Sequence, residues 1–283
     1  MTRLRTYLSF VRFSHSVFAL PFALTGALLA WREHPFAWIQ VGWIVVCMVS
    51  ARSAAMGFNR LADARHDALN PRTAMRELPR GAMTRREAAV FVVVSSALFV
   101  YGAARLGMLP LALSPLALAI VFWYSLAKRF TAYTQLFLGL AMAVAPVGGW
   151  IAAGGRDGWE PWLLGLAIGL WVGGFDILYA CQDYDFDRAH GLRSIPTRFG
   201  IPASIRLSRV MHAGTIACMA ALGRVAGLPA LYLVGVAIVA ALLVYEQSLV
   251  RDDDLSQVKR AFDLNGWVGI VYFAATAISL YLG

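Results

Sequence analysis

Charged residues are scarce in this sequence. They make up 14% of the 283 residues, whereas 59% of the residues are hydrophobic. Ordinary soluble domains carry roughly a quarter charged residues, so the composition excludes that class and indicates a polytopic membrane protein. Almost uncharged runs at 16–31, 88–104 and 230–245 approach the roughly 20 residues that a helix needs to span a bilayer.

Cysteine is rare too, and its placement excludes two kinds of site. The three cysteines, Cys47, Cys181 and Cys218, lie far apart inside apolar segments. No two of them have the spacing of a zinc site, and together they make no disulfide framework. We therefore expect small core residues at these positions rather than metal ligands.

Acidic residues are outnumbered, with 16 Asp and Glu against 25 Lys and Arg, which gives a formal net charge of +9. In so apolar a chain we attribute this charge to membrane topology and expect no nucleic-acid partner. The first apolar stretch contains Pro21 and lacks a clear small-residue cleavage site. We expect this stretch to be retained as a span rather than removed as a signal peptide.

Hydropathy predicts an all-α fold, a bundle of about nine transmembrane helices around a central cavity, in one domain that covers residues 1–283. The predicted spans are roughly 14–31, 38–60, 88–105, 109–126, 134–153, 161–182, 208–224, 228–248 and 264–282. With the N-terminus in the cytoplasm, 20 of the 25 basic residues fall in inside segments. This is the asymmetry that the positive-inside rule describes, and one missing span would destroy it.

Two acidic clusters lie at the ends of the second and sixth predicted spans, with Asp-x-x-x-Asp pairs that are 120 residues apart. Their polar members are Asn59, Asp63 and Asp67 in the first cluster and Asp176, Tyr179, Asp183 and Asp187 in the second. Residues four apart share a helix face, so each cluster predicts one polar stripe. Both stripes fall on the cytoplasmic side, which would allow them to meet. The shared plan suggests two pseudo-repeats, roughly 1–130 and 131–283.

The stripes predict a cation, because stacked carboxylates repel one another. Oxygen ligands of this kind suit Mg²⁺, which bridges phosphate oxygens. The cytoplasmic loops supply cations for phosphate, although positive-inside topology alone is an alternative explanation for each of them; they are Arg72, Arg76, Arg80, Lys128, Arg129 and Arg198. The cavity walls should be apolar, so a prenyl diphosphate would satisfy both the polar and the apolar part of the predicted site.

Two further ionisable residues fall deeper in the predicted membrane. Arg52 precedes Asn59 by two helical turns, and Asp176 precedes Asp183 by the same distance. Such residues are costly in a bilayer and are candidates for function. A buried Arg52–Asp176 ion pair that only locks helix packing is the alternative.

The motifs resemble those of the UbiA superfamily of intramembrane prenyltransferases. The second cluster is similar throughout to that family's Asp-x-x-Tyr-x-x-x-Asp-x-x-x-Asp motif. The first resembles Asn-Asp-x-x-Asp-x-x-x-Asp, but Arg60 stands where Asp is usual. Residues 72–79 and 124–129 are further similar segments, and the resemblance extends from about Arg12 to the last span.

This resemblance implies Mg²⁺-dependent transfer of a polyprenyl group from a prenyl diphosphate to an aromatic acceptor. Metal and diphosphate would be held by Asn59, Asp63, Asp67, Asp183 and Asp187, and Lys128 and Arg129 would help to bind the leaving diphosphate. It further implies that Tyr179 faces the allylic cation and that Asp176 orients or deprotonates the acceptor. Arg52 and Arg12 would pair with an acceptor carboxylate.

The stretch 12–24 with 76–79 resembles a quinone-biosynthesis branch of the family, in the bacterial inner membrane. The expected acceptor is therefore an aromatic carboxylic acid, either 4-hydroxybenzoate or a dihydroxynaphthoate, in ubiquinone or menaquinone biosynthesis. Haem or chlorophyllide acceptors are alternatives within the family. A cation-coupled transporter is an alternative outside it, as is a structural membrane subunit. A transporter would need acidic residues near the bilayer midplane, whereas both stripes lie at span ends.

Overall fold

The computed structural model describes residues 3–11 and 19–282 of the chain. Every regular element among these residues is a helix, with no β-strand, so the predicted all-α class is confirmed. They divide into two compact units. One unit comprises Met1–Val17 and Trp38–Leu126, and the other comprises Phe18–Ala37 and Ala127–Gly283. The predictions of a single domain, two pseudo-repeats and a central cavity stay predictions.

The first unit contains the helices α1 (Arg3–Phe10), α3 (Trp38–Leu69), α4 (Arg85–Leu106) and α5 (Met108–Ala127). Helix α4 begins at a capping box, because the Thr84 hydroxyl accepts from the Glu87 backbone and the Glu87 carboxylate accepts from the Thr84 backbone. Side chains of Phe10, Val11, Met83 and Ala88 form a small core. This core fixes the loop that follows α3 against α1 and α4.

The second unit contains the remaining helices: α2 (Leu20–Ala30), α6 (Thr134–Ala152), α7 (Glu160–Ala180), α8 (Tyr184–Ala189), α9 (Ile195–Phe199), α10 (Ile201–Val225), α11 (Ala230–Ser248) and α12 (Val258–Leu282). Small residues let α2 and α6 approach closely, since a Cβ on Gly26 would clash with the backbone of Pro146. Gly139 does the same for α6 and α7, since a Cβ there would clash with the backbone of Gly169. Helices in lipid commonly pack through such residues.

Seven described helices are long and apolar enough to cross a membrane: Trp38–Leu69, Arg85–Leu106, Met108–Ala127, Thr134–Ala152, Glu160–Ala189, Ala230–Ser248 and Val258–Tyr281. Leu20–Ala30 is a shorter apolar helix, and α10 lies where the seventh predicted span was expected. Large apolar side chains such as Val93, Leu116 and Val244 are exposed, as lipid-facing positions are. The chain is an integral membrane protein, and the count of nine crossings stays a prediction.

Candidate active site

The first acidic stripe lies on one unbroken helix. Helix α3 has 32 residues, so it is about 48 Å long and extends beyond a hydrocarbon core of about 30 Å. Asn59, Asp63 and Asp67 occupy one face of its last three turns, as the sequence predicts. The Asn59 amide nitrogen donates to Asp63 Oδ2 at 3.4 Å. Both aspartates are buried.

The loop after α3 brings a cation to the end of this stripe. The Nη1 atom of Arg76 lies 2.8 Å from each carboxylate oxygen of Asp67. The Thr73 hydroxyl donates to the Asp67 carbonyl at 3.0 Å, and the Arg72 backbone donates to Asn70 Oδ1 at 2.9 Å. These bonds fold the loop back over the helix end. Arg76, which we predicted to bind phosphate, therefore lies at the stripe, while the Arg72 side chain is exposed.

A second ion pair in the first unit involves Arg60, the residue that departs from the family motif. Arg60 Nη1 lies 3.9 Å from Glu77 Oε2, and both side chains are only 5% exposed. The Ser9 hydroxyl donates to the other Glu77 oxygen at 2.5 Å. Glu77 thus links α1, α3 and the loop that carries Arg76. Arg60 has a structural partner here that sequence spacing did not reveal.

Replacing Glu77 by alanine should destabilise the protein, because Arg60 then loses this buried counter-charge. The expected loss is about 3 kcal/mol, typical of breaking one side of a buried pair. The measurement is the thermal unfolding midpoint of the protein in detergent. Asp263→Ala is the control, since Asp263 forms an exposed pair with Lys259 and should change the midpoint little. An equal shift in both variants would contradict a stabilising role for the Arg60–Glu77 pair.

The second acidic stripe departs from a regular α-helix. Helix α7 ends at Ala180 and is followed by a 3₁₀ turn at Cys181–Asp183, and α8 then begins at Tyr184. Each residue of a 3₁₀ turn rotates about 20° further than in an α-helix, so three residues add about 60°. Asp183 and Asp187 are therefore turned relative to Asp176 and Tyr179, instead of lying on one straight face.

Tyr179 lies on an aromatic surface of the second unit. Its ring centroid is 4.9 Å from that of Phe262 on α12, and the Phe175 centroid is 5.6 Å from the same ring. Tyr179 itself is half-buried. Aromatic faces of this kind can stabilise a nearby carbocation.

A cavity of about 380 Å³ in the second unit has two arginines in its lining. It is lined by Phe130, Thr131, Ala132, Arg193, Thr197 and Arg198. The Arg193 side chain donates to the Phe130 carbonyl at 2.8 Å, and its backbone donates to the Lys128 carbonyl at 3.4 Å. Arg198 lies over the rings of Tyr133 and Phe199. Lys128 is half-buried and Arg129 exposed. Arg193 is a site candidate that we missed, because its charge was attributed to topology alone.

The remaining predicted residues concern the acceptor. Arg52 is half-buried on α3, two turns before Asn59 on the same face, as expected. Arg12 lies outside the described residues. The alternative of an Arg52–Asp176 ion pair stays open.

The donor set fits a metal that takes only part of its ligands from protein. Across 3–11 and 19–282, no three His, Cys, Asp or Glu side chains come together as a complete metal site. Each stripe instead contributes the two carboxylates of its Asp-x-x-x-Asp pair, and the first adds the Asn59 amide oxygen. Mg²⁺ usually binds through one or two carboxylates and takes its other ligands from water and substrate phosphate. The residues present therefore suit Mg²⁺ with a phosphorylated substrate.

The model of one known family matches most of this chain. The family is described as the UbiA prenyltransferase family, and the match covers residues 19–273. The chain belongs to the UbiA prenyltransferase family. The resemblance that the motifs indicated is thereby confirmed, and so is the prediction of an enzyme that transfers prenyl groups.

Individual relatives of this UbiA-family chain agree. A 4-hydroxybenzoate octaprenyltransferase from Alkalilimnicola ehrlichii is 33% identical over 240 residues, 84% of this chain and 81% of that protein. The apo structure of a UbiA homologue from Aeropyrum pernix is 37% identical, with a TM-score of 0.86 over 94% of this chain and 98% of that one. A UbiA homologue from Archaeoglobus fulgidus bound to GPP and Mg²⁺ is 20% identical, with a TM-score of 0.71 over 96% and 99%. This last likeness shows the fold.

Proposed function

We propose that this UbiA-family enzyme transfers a polyprenyl group from a prenyl diphosphate to 4-hydroxybenzoate, with Mg²⁺ as cofactor. The observation that carries the proposal is the pair of Asp-x-x-x-Asp stripes, one in each unit, with arginines beside them. Relatives named 4-hydroxybenzoate octaprenyltransferase favour this acceptor over a dihydroxynaphthoate. The product would be a precursor of a membrane quinone.

The polar part of the site would hold the diphosphate. Asn59, Asp63 and Asp67 would bind Mg²⁺ from the first unit, and Asp183 and Asp187 from the second. The Archaeoglobus fulgidus homologue bound to GPP and Mg²⁺ supports this cofactor. When bound, the metal supplies positive charge to the departing diphosphate.

The chain's own cations would share that task. Lys128, Arg129, Arg193 and Arg198 lie in one region of the second unit and would bind phosphate oxygens. Arg72 and Arg76 would do so from the first unit. As the bond between the prenyl carbon and its diphosphate oxygen breaks, these side chains stabilise the negative charge that develops on the leaving group.

The apolar part of the site would receive the prenyl chain. Tyr179 and the phenylalanines beside it offer ring faces to the allylic cation and exclude water that would trap it. The electron-rich acceptor ring then forms the new carbon–carbon bond and loses a proton. Asp176, three residues before Tyr179, is our candidate for orienting the acceptor or accepting that proton.

Arg52 and Arg12 would bind the acceptor carboxylate. Arg52→Ala should raise the KM for 4-hydroxybenzoate about ten-fold, the scale of one charge-assisted hydrogen bond, and leave the KM for prenyl diphosphate nearly unchanged. Steady-state kinetics in membranes measure both constants. Arg105→Ala in α4 is a control for loss of one arginine from the same unit. Equal effects of Arg52→Ala on both substrates would contradict this role.

The proposal is tested with isolated membranes that contain the enzyme. They are supplied with Mg²⁺, with 4-hydroxybenzoate or a dihydroxynaphthoate, and with prenyl diphosphates of several lengths. Mass spectrometry of the extract should show prenylated hydroxybenzoate, and none in membranes without the enzyme. Product only from the naphthoate would replace the proposed acceptor, and no product from either acid would overturn the proposal.

We also propose that the N-terminus and both stripes face the cytoplasm across a bacterial inner membrane. The distribution of arginine and lysine supports this orientation. A reporter that is active only in the cytoplasm, fused after residue 283, tests it. Nine spans and a cytoplasmic N-terminus put residue 283 on the outer side of the membrane, where this reporter is inactive. Reporter activity in the fusion would therefore contradict the topology.

A further inference from the structure

Buried polar side chains of the second unit form hydrogen bonds with both the side chain and the backbone of Trp171 on α7. The residue is fully buried, and its ring lies 4.9 Å from the Phe22 ring and 5.3 Å from the Phe175 ring. It precedes Asp176 by five residues and Tyr179 by eight on the same helix. Whatever fixes Trp171 therefore fixes the height and rotation of both candidate site residues.

One polar connection holds the side chain of Trp171. Its indole N–H donates to Asn265 Oδ1 on α12 at 2.7 Å. The Asn265 amide nitrogen donates in turn to Glu246 Oε1 on α11 at 3.1 Å and to the Ala261 carbonyl at 3.2 Å. All three polar side-chain atoms of Trp171 and Asn265 are thus engaged, while Glu246 Oε2 is buried without a hydrogen-bond partner among the described residues.

A second connection holds the backbone of Trp171. His212 Nε2 on α10 lies 3.2 Å from the Trp171 carbonyl, which can only accept, so Nε2 carries the proton. The other nitrogen, Nδ1, then accepts from the Gln247 amide at 3.0 Å. The same amide nitrogen donates to the Ser208 hydroxyl at 2.7 Å. The tautomer of His212 is therefore set by its two neighbours.

Both connections begin at adjacent residues of α11, Glu246 and Gln247, and both end on Trp171. One hydrogen bond to Trp171 would still allow α7 to rotate about that bond. Hydrogen bonds to both the side chain and the backbone of Trp171 restrict rotation and sliding of α7 at the same time. In lipid there is no water to replace these partners, so slipping of α7 would expose several unsatisfied groups at once.

We propose that Glu246, Gln247, Asn265 and His212 are positioning residues that hold α7 so that Asp176 and Tyr179 are aimed for prenyl transfer. The inference rests on the proposed function for its kinetic consequence. The restriction of α7 by these hydrogen bonds does not depend on the proposed function, and the accessibility of Cys181 measures that restriction. This cysteine is 2% exposed in the 3₁₀ turn directly after α7, where its thiol donates to the Ile177 carbonyl.

The test compares variants with a matched control in detergent-solubilised protein. Asn265→Leu cuts the first connection and Gln247→Leu the second. Tyr232→Phe removes two other buried hydrogen bonds, the 2.7 Å contact of Tyr232 with Tyr272 on α12 and the 2.9 Å bond to the Met219 carbonyl on α10, and neither belongs to the two connections that end on Trp171. The rate of maleimide labelling at Cys181, followed by peptide mass spectrometry, should rise about ten-fold in the two leucine variants and stay near wild type in Tyr232→Phe.

Kinetics provide the second readout. In the leucine variants kcat should fall at least about ten-fold, because small misplacements of reacting groups are costly, while the KM for prenyl diphosphate should change less than about two-fold. Glu246→Gln keeps the oxygen that accepts from Asn265, so it should retain near-normal kcat and Cys181 protection. Glu246→Gln thus distinguishes a positioning role, which needs only the acceptor oxygen, from a role that needs the negative charge of Glu246.

Unchanged Cys181 labelling in both leucine variants would overturn the proposal, as would an equal rise in Tyr232→Phe. The same is true of a uniform loss of activity across all four variants, which would indicate general destabilisation. The wild-type protein could make no prenylated product while Cys181 labelling still rises only in the leucine variants. That result would overturn the proposed function but support the restriction of α7 by the two connections. The two failures are thus distinguishable.

Discussion

Replacing Asp63 or Asp183 by asparagine should lower the rate of prenyl transfer by about a thousand-fold, the scale seen when a key electrostatic group is removed from a transition state. Asparagine keeps the size of the side chain and removes its charge. Each change would weaken Mg²⁺ binding at one stripe and leave the diphosphate less well neutralised as it departs. Asparagine can occupy the same space and still accept the hydrogen bond that Asp63 accepts from Asn59, so the protein should still fold.

The measurement is product formation at saturating substrates, with the thermal unfolding midpoint as a check on folding. Asp185→Asn is the matched control, because Asp185 lies between the stripe residues on α8 but is exposed. It should keep near-normal activity. Near-normal turnover in Asp63→Asn or Asp183→Asn would remove that residue from the proposed metal site.

A double variant asks whether the two stripes serve one diphosphate. Residues that act as a unit show strongly non-additive losses. Asp63→Asn combined with Asp183→Asn should therefore lose little more activity than either single change. Losses that multiply would instead indicate two stripes with independent tasks.

Periodicity predicted the first stripe well for a physical reason. Helix α3 is regular from Trp38 to Leu69, so a spacing of four residues in the chain becomes one face in space. The second stripe follows the same rule only in part. Its helix tightens at Cys181–Asp183 before α8 begins, and a spacing of four residues assumes a regular α-helix and so could not predict this turn.

Long-range partners account for what spacing arguments could not reach. Arg60 pairs with Glu77, seventeen positions later, and the link exists because the loop folds back over the end of α3. Arg193 contacts the carbonyl of Phe130, which lies 63 residues away. A charge count places such residues on one side of a membrane, but only the fold decides which backbone groups they meet. A shared helix face was therefore easier to predict than a contact between distant parts of the chain.

Removing divalent metal should abolish the reaction. Excess EDTA is expected to lower product formation at least about a hundred-fold, because the proposed site leaves the diphosphate charge to Mg²⁺ and a few arginines. Adding Mg²⁺ beyond the chelator should restore the rate. Ca²⁺ should restore it poorly, since Ca²⁺ is larger and prefers more ligands than two carboxylates and a diphosphate provide. EDTA already saturated with Mg²⁺ is the control for direct effects of the chelator.

The metal response also tests which residues bind it. Asp67 is held by Arg76 at 2.8 Å, so part of its charge is already neutralised within the protein. Asp67→Asn should therefore raise the Mg²⁺ concentration for half-maximal rate only modestly. Asp63→Glu should raise it more, because the longer glutamate side chain moves the carboxylate away from its place beside Asn59. The reverse order would assign the larger share of metal binding to Asp67. Full activity in EDTA would show that the stripes act without a metal, with Arg76 and its neighbours as the charges that stabilise the diphosphate.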